Sequence, residues 1–106
     1  MNMRKINHIG IPVREPVPGE VYNEGMKVFL TDFAQSPNRI EFLRFDADSW
    51  MPEKIQKLAH IAYEVDDLDK ELESAVVLLP KTVVNENLTI AFVEEEGIAL
   101  ELMQFS

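Results

Sequence analysis

Two kinds of segment in this 106-residue chain alternate apolar and polar positions with a period of two, and each kind occurs twice. Ile6–Val13 aligns with Leu58–Val65, and Ile40–Phe45 aligns with Leu100–Phe105. A period of two is typical of a strand with one buried face. The repetition therefore predicts two copies of one small β-rich unit within a single domain. The predicted parts are a first module at 1–46, a connector at 47–57 and a second module at 58–106.

Between its two repeated strands, the second copy has the pattern of a helix. Asp66 and Asp67 can cap its start, and Pro80 would end it. Apolar residues recur at helical spacing between these limits, at Leu68, Leu72, Ala75 (or Val76) and Leu79. We then expect a strand at Leu88–Val93, a hairpin turn at Glu94–Gly97 and a last strand at Ile98–Phe105.

The first copy has no such helical pattern. Arg14–Gly19 carries two prolines and a glycine, which indicates an extended loop. Strands at Met26–Phe33 and Arg39–Phe45 are expected to follow, and Pro52–Leu58 in the connector is expected to form a short helix. The predicted fold class is α+β, with two βαβββ-type modules forming a curled mixed sheet and the first module lacking its helix.

Composition excludes several kinds of function. Nineteen acidic against ten basic residues give a formal charge of −9, which would repel a phosphate backbone, so no nucleic-acid partner is expected. There is no cysteine for a disulfide, a thiolate ligand or a nucleophile. The longest apolar run, Ala75–Pro80, is too short to cross a bilayer, and the first residues lack the apolar stretch of a signal peptide. We therefore expect no membrane association and a cytoplasmic location.

The candidate chemistry lies in the repeated strands, where His8 and Glu41 of the first copy match His60 and Glu101 of the second. A single strand histidine is more often a hydrogen-bonded core residue than a metal ligand. If a pseudo-twofold axis relates the copies, however, both histidines and both glutamates meet on one concave face. Two carboxylates brought together there repel each other and lose hydration, at a cost of several kcal/mol each unless a cation compensates.

A divalent metal ion would provide this compensation. Two imidazoles and two carboxylates suit Zn, Ni, Co, Fe or Mn, and four protein ligands leave an octahedral ion two positions for a substrate. A basic side chain is the alternative, and Arg39 shares a face with Glu41. The expected metal ligands are thus His8, Glu41, His60 and Glu101, with Glu101 and Glu41 as the candidate catalytic bases.

The sequence also resembles a known superfamily, the vicinal oxygen chelate proteins, at His8–Ile11, Arg39–Leu43, His60–Leu68 and Ala99–Leu102. Its members include glyoxalase I, epimerases, dioxygenases and antibiotic-binding proteins. The segments Glu15–Pro18 and Asn23–Phe29 look most like methylmalonyl-CoA epimerases. The resemblance implies paired βαβββ modules that form a cup, with metal ligands at the four positions named above.

The resemblance further implies a metal-dependent isomerase or lyase of glyoxalase or epimerase type. Such an enzyme transfers a proton on a small substrate with neighbouring oxygens by stabilising an enolate. The alternatives are a metal-free small-molecule binding protein of the same fold and an accessory module that has lost its activity. No basic cluster of the kind expected for a CoA phosphate is found, and the sequence identifies no substrate.

The missing helix is a departure from the superfamily pattern. It would leave an apolar face at Ile9, Ile11 and Val13 uncovered. We expect either a second subunit, which implies a homodimer, or the connector around Trp50 and Met51 to cover this face.

Overall fold

The computed structural model describes residues 4–106, which form one curled sheet of eight strands with two short helices on its faces. The elements in chain order are β1 (Arg4–Pro12), β2 (Val21–Asn23), β3 (Val28–Leu30), β4 (Ile40–Phe45), α1 (Glu53–Lys57), β5 (His60–Val65), α2 (Leu68–Leu72), β6 (Val76–Asn85), β7 (Leu88–Glu95) and β8 (Ile98–Phe105). A single 3₁₀ turn at Phe33–Gln35 lies between β3 and β4. No helix within 4–106 is long and apolar enough to cross a membrane.

The strand order is β2-β3-β4-β1-β5-β8-β7-β6, so the two halves of the sheet have the same internal order. In each half the first strand runs parallel to the last, β1 beside β4 and β5 beside β8. The halves join through the antiparallel pair β1 and β5. This mixed, curled sheet confirms the predicted α+β fold class, and the β1–β5 seam places the repeated strands at its centre.

The helix of the second half is shorter than predicted. α2 is capped by Asp67, as expected, but it ends at Leu72, and the chain is extended from Val76 onward. The prediction of a helix reaching Pro80 was wrong because β-branched Val76 and Val77 favour a strand. Pro80 is tolerated there since β6 is an edge strand of the sheet, where a missing N–H need not break a ladder.

The first half has no helix between β1 and β2 in the described chain, as predicted. Its strands are shorter than expected, because the predicted strand Met26–Phe33 is reduced to the three residues of β3. The predicted short helix of the connector is present as α1. The hairpin between β7 and β8 turns at Glu96 and Gly97, whose φ angles of 54° and 80° are those of a tight hairpin turn.

Two apolar clusters pack on opposite faces of the second half. The outer cluster lies beneath α2 and consists of Val65, Leu68, Ala91, Val93, Leu100 and Leu102. The inner cluster faces the concave side and consists of Met51, Ile55, Ala62, Leu79, Ile90, Phe92, Ala99 and Met103. Met51 therefore fills the cup, so the prediction that the connector covers the outer face at Ile9 and Ile11 was wrong. The neighbouring Trp50 is about half exposed, and its indole N–H donates to the Gly25 carbonyl.

The proline-containing loop partly replaces the missing helix. Its Glu20 carboxylate pairs with the Arg44 guanidinium, which stacks 4.0 Å from the centre of the Phe29 ring. Val17 and Pro18 of this loop, together with Ile40 and other residues, enclose a depression of about 250 Å³ on the outer side of β4. The outer face of the first half is thus only half covered.

Candidate functional site

The register of the central strands places the four predicted residues in two rows on the concave face. In the first row, His8 on β1 lies opposite Ala62 on β5, and Ala62 lies beside Glu101 on β8. Residues that face each other across a sheet point to the same side. His8 and Glu101 therefore project into the cup with only a small side chain between them.

The second row has the same arrangement with the halves exchanged. His60 on β5 lies opposite Gly10 on β1, and Gly10 lies beside Glu41 on β4. A Cβ atom added to Gly10 would overlap three atoms of the His60 ring. A small residue two positions after each repeated histidine thus makes room for the histidine of the other half.

Three of the four groups converge closely. His60 Nε2 lies 3.2 Å from Glu101 Oε1, and His8 Nε2 lies 3.6 Å from the same oxygen. One ligand atom from each of these three residues lies within 4.8 Å of the other two. Glu41 lies outside this group of three. Its Oε1 lies 3.5 Å from His8 Nε2.

The histidines are buried without the hydrogen bonds that buried polar atoms normally make. Each is only 2% exposed, yet His8 Nε2 and both ring nitrogens of His60 have no hydrogen-bond partner. An unsatisfied buried polar atom costs about 1–3 kcal/mol, so such atoms call for a ligand or a functional role. Two imidazole nitrogens and a carboxylate oxygen that point toward one another fit a divalent cation such as Zn²⁺.

His8 is held in a defined orientation by Asn7 and Glu64, and the sequence predicted neither of them as a support of the site. Its Nδ1 lies 2.7 Å from Asn7 Oδ1, and Asn7 Nδ2 donates over 2.9 Å to Glu64 Oε2. Because the carboxylate of Glu64 accepts the amide donor, the Asn7 oxygen is left to accept from His8 Nδ1–H. In the neutral imidazole the lone pair of His8 then lies on Nε2, which points toward Glu41 and Glu101.

An aromatic ring fixes the plane of the same imidazole. Phe33 stacks on His8 with ring centres 4.3 Å apart and an interplanar angle of 11°. The Arg39 guanidinium lies 4.9 Å from the centre of the Phe33 ring. Arg39 is therefore occupied beside Phe33 and is not the compensating cation considered for Glu41. The sequence signals for these supports were Asn7, which stands next to the repeated histidine where the second copy has Ala59, and Glu64, which shares a strand face with His60.

The charges of the cluster are coupled. Burial disfavours the charged form of His8, but the proximity of Glu101 and Glu41 outweighs it and raises the pKa of His8 to about 9. Burial likewise opposes ionisation of Glu101, but the proximity of His60 and His8 lowers its pKa to about 2. Carboxylate negative charge is thus favoured at this point of the cup, and cations are attracted to it.

A cavity of about 130 Å³ opens directly over this cluster. His8, Glu41 and Glu101 form its polar end, and the remaining wall is almost entirely apolar. Three of the five methionines of the chain line it, namely Met26, Met51 and Met103. The cup can therefore hold a small molecule with one end against the histidines and glutamates.

No protein-family profile and no curated protein matches the chain by sequence. Its fold, however, matches known structures. The crystal structure of methylmalonyl-CoA epimerase from Mycobacterium tuberculosis superposes with a TM-score of 0.63 and 17% sequence identity. The match covers 96% of this chain and 88% of the epimerase chain. The chain therefore has the fold of the vicinal oxygen chelate proteins, as its sequence predicted.

Proposed function

We propose that this chain is a metal-dependent isomerase or lyase of glyoxalase or epimerase type that moves a proton on a small substrate with two neighbouring oxygens. His8, His60, Glu101 and Glu41 would hold the divalent metal ion. The observation that carries the proposal is the convergence of two buried, unpartnered imidazole Nε2 atoms on one carboxylate. The likeness to an epimerase of the same fold supports this choice of reaction.

A bound cation would supply positive charge that stabilises an enolate oxygen of the substrate. The side chains of the protein orient the metal ligands, exclude water and accept the proton. Asn7 holds His8 so that its Nε2 can act as a ligand, and the apolar wall of the cavity excludes water from the reacting carbon. Glu41 and Glu101 line the cavity and are the carboxylates that can take the proton from that carbon.

The two glutamates differ in their fitness as the base. Glu101 contacts both histidines, and its pKa of about 2 makes it a weak proton acceptor but a good ligand. Glu41 contacts only His8 among the cluster, so one imidazole faces its carboxylate where two face that of Glu101. We therefore assign the proton transfer first to Glu41, with Glu101 as the second candidate.

Elemental analysis tests the metal site. Protein expressed without a His-tag in metal-supplemented medium and purified without chelator should carry about one transition-metal ion per chain. His8→Ala and Glu101→Ala should lose it, whereas Glu73→Ala, at an exposed position at the end of α2, should retain it. Wild-type protein without metal after metal-supplemented growth would disprove the site.

Solvent deuterium exchange tests the proton transfer. The metal-loaded protein should exchange the α-hydrogen of 3-hydroxy-2-butanone, an α-hydroxy ketone, faster than the free metal does, as followed by proton NMR. Glu41→Gln should reduce the exchange rate per bound metal ion by about 10²–10⁴-fold. A rate per bound metal ion that is unchanged in Glu41→Gln but reduced in Glu101→Gln would move the base to Glu101.

One observation favours the second candidate, a metal-free small-molecule binding protein. Although burial disfavours its charged form, the proximity of Glu101 and Glu41 raises the pKa of His8 to about 9, and a protonated His8 would neutralise Glu101 without a metal ion. Tight binding of a small apolar ligand with no metal content in any preparation would support this candidate over the isomerase.

The quaternary structure and location form part of the same proposal. We place the protein in the cytoplasm as a homodimer whose contact covers the half-buried outer face at Ile9, Ile11 and Val13. Light scattering on the purified protein should give about twice the mass of the 12.2 kDa chain. Ile11→Asp should shift it to the monomer mass, and a monomeric wild type would exclude the dimer.

A further inference from the structure

The cavity over the candidate metal ligands has a strongly divided lining. One end carries the imidazole and carboxylate groups, and the rest of the wall consists of aliphatic, thioether and aromatic side chains together with the amide of Asn23. The apolar part of the lining includes Met26, Val28, Leu43, Met51, Ile90 and Met103. None of the described residues that line the cavity is a lysine or an arginine.

The cations on the neighbouring elements are engaged away from the cavity. Arg44 pairs with Glu20 on the outer face, and Lys27 pairs with Asp48 over 2.9 Å. A carboxylate or phosphate on the substrate body would lie against this wall without a partner. Burial of an unpaired charge costs several kcal/mol, so the lining selects against anionic groups at that end.

The size of the cavity limits the substrate. Its volume is about 130 Å³. An apolar cavity of about 150 Å³ lined by similar side chains binds benzene, so this one has room for about six to eight non-hydrogen atoms. A nucleotide-bearing thioester could place only its acyl end there.

The roof of the cavity belongs to the connector. Met51 and Ile55 are 5% and 1% exposed, and they close the cup from the side of α1. The segment is fixed to the β2–β3 turn, because Trp50 Nε1 donates to the Gly25 carbonyl over 2.7 Å and Ser49 Oγ donates to the Met26 carbonyl over 2.8 Å. Methionine side chains in the roof and wall can adapt to the shape of a small apolar body.

We propose that the ligand of this cavity is a small uncharged molecule of about six to eight non-hydrogen atoms, with two neighbouring oxygens at one end and a hydrocarbon body at the other. The oxygens would face His8, Glu41 and Glu101, and the hydrocarbon body would contact Met26, Met51 and Met103. The oxygen-binding half of this inference rests on the proposed function. The apolar half rests on the lining alone.

The apolar half is tested on metal-free protein with benzene as the probe. Benzene should bind with a stoichiometry of one and shift the methyl signals of the cavity methionines in carbon-edited NMR. Met51→Trp fills the roof and should abolish binding, and the milder Met26→Phe at the rim should weaken it at least tenfold. Leu58→Trp, at an exposed position beyond α1, is the matched control and should bind like wild type. No benzene binding to wild type, or equal binding by Met51→Trp and wild type, would overturn the inference.

The oxygen-binding half is tested on zinc-loaded protein with catechol and 3,4-dihydroxybenzoate. These probes share the paired oxygens and differ by a carboxylate at the end that would face the methionines. Catechol should bind at least tenfold more tightly by calorimetry, and equal or tighter binding of the carboxylate would overturn the inference. A failure of zinc to bind would disprove the proposed function and this half together, while the benzene result would still decide the apolar half.

Discussion

The two halves of the sheet share one strand order but differ in how their outer faces are covered. The second half carries α2 over a closed apolar cluster, whereas the first half carries only the loop that contains Pro16 and Pro18. Of sixteen buried apolar side chains within residues 4–106, only Val28 and Leu43 belong to the first half. The comparison indicates that strand register positions the site in both halves, whereas most of the buried apolar side chains lie in the connector and the second half.

We expect the largest loss of stability from a substitution in the helix of the second half. Leu68 is 1% exposed and anchors α2 to the outer cluster. Leu68→Ala should therefore lower the free energy of unfolding by about 2–5 kcal/mol, measured by urea denaturation. Val17→Ala in the loop of the first half is the matched change and should cost less than about 1.5 kcal/mol, because Val17 is only half buried. Equal losses would mean that the loop stabilises its half as strongly as the helix does.

The second comparison concerns the small residues that lie opposite the two histidines, Ala62 opposite His8 and Gly10 opposite His60. Gly10→Ala should displace the His60 ring, cost about 1–3 kcal/mol by overpacking and weaken Zn²⁺ binding by about 10- to 100-fold. Ala62→Gly is the matched change at the equivalent position, where a Cβ is already accommodated opposite His8. It should cost only about 0.5–1 kcal/mol through strand entropy and leave Zn²⁺ affinity unchanged. Denaturation and zinc titration of both variants decide this, and an unchanged Gly10→Ala would contradict the tight packing of His60 on β1.

The third comparison concerns the support of each histidine. Asn7→Ala removes the acceptor of His8 Nδ1–H and leaves a buried donor unsatisfied, which should cost about 1–3 kcal/mol. It should also weaken Zn²⁺ binding, since the imidazole loses its fixed orientation. Ala59→Asn places the same amide before His60, but position 59 is exposed, so its effect on unfolding should stay within about 0.5 kcal/mol. An Asn7→Ala variant as stable as wild type would show that the Asn7 amide does not support His8.

Much of the fold could be predicted because the repeated strands alternate strictly. In β5 and β8 the period of two fixed which residues share the concave face, and the repeat fixed which strands are equivalent. The end of α2 could not be predicted in this way. Leu68, Leu72 and Leu79 satisfy helical spacing, yet Leu79 contributes to the inner cluster from an edge strand opposite Phe92. Whether a short apolar run is strand or helix is decided by its tertiary neighbours, and these are not visible in the sequence.

The candidate site likewise has a part that the sequence predicted and a part that it did not. The sequence predicted four residues from their repetition, and the fold brings His8, His60 and Glu101 together with Glu41 beside His8. Their role as metal ligands and bases stays a prediction. The supports of the site were missed, because Phe33 reaches His8 from a 3₁₀ turn and Glu64 reaches it only through Asn7. Asn7 lies where the register of β1 shifts between Ile6 and His8, and neither this irregularity nor the 3₁₀ turn leaves a periodic signal.

The smallest expected effect concerns the ion pair that holds the loop of the first half to its sheet. The neighbouring guanidinium of Arg44 lowers the pKa of the Glu20 carboxyl from its ordinary value of 4.5. A carboxylate with a lowered pKa in the folded state stabilises the fold above its unfolded pKa, and this contribution is lost as the pH falls below 4.5. Wild type should therefore melt slightly above Glu20→Gln at pH 7, and the difference should vanish in acid. Glu24→Gln, an exposed change on the next turn, should show no such difference at either pH. A difference in melting temperature between wild type and Glu20→Gln that persists undiminished at pH 3 would contradict the role of this charge pair. It would mean that packing holds the loop of the first half, as it holds α2 in the second half.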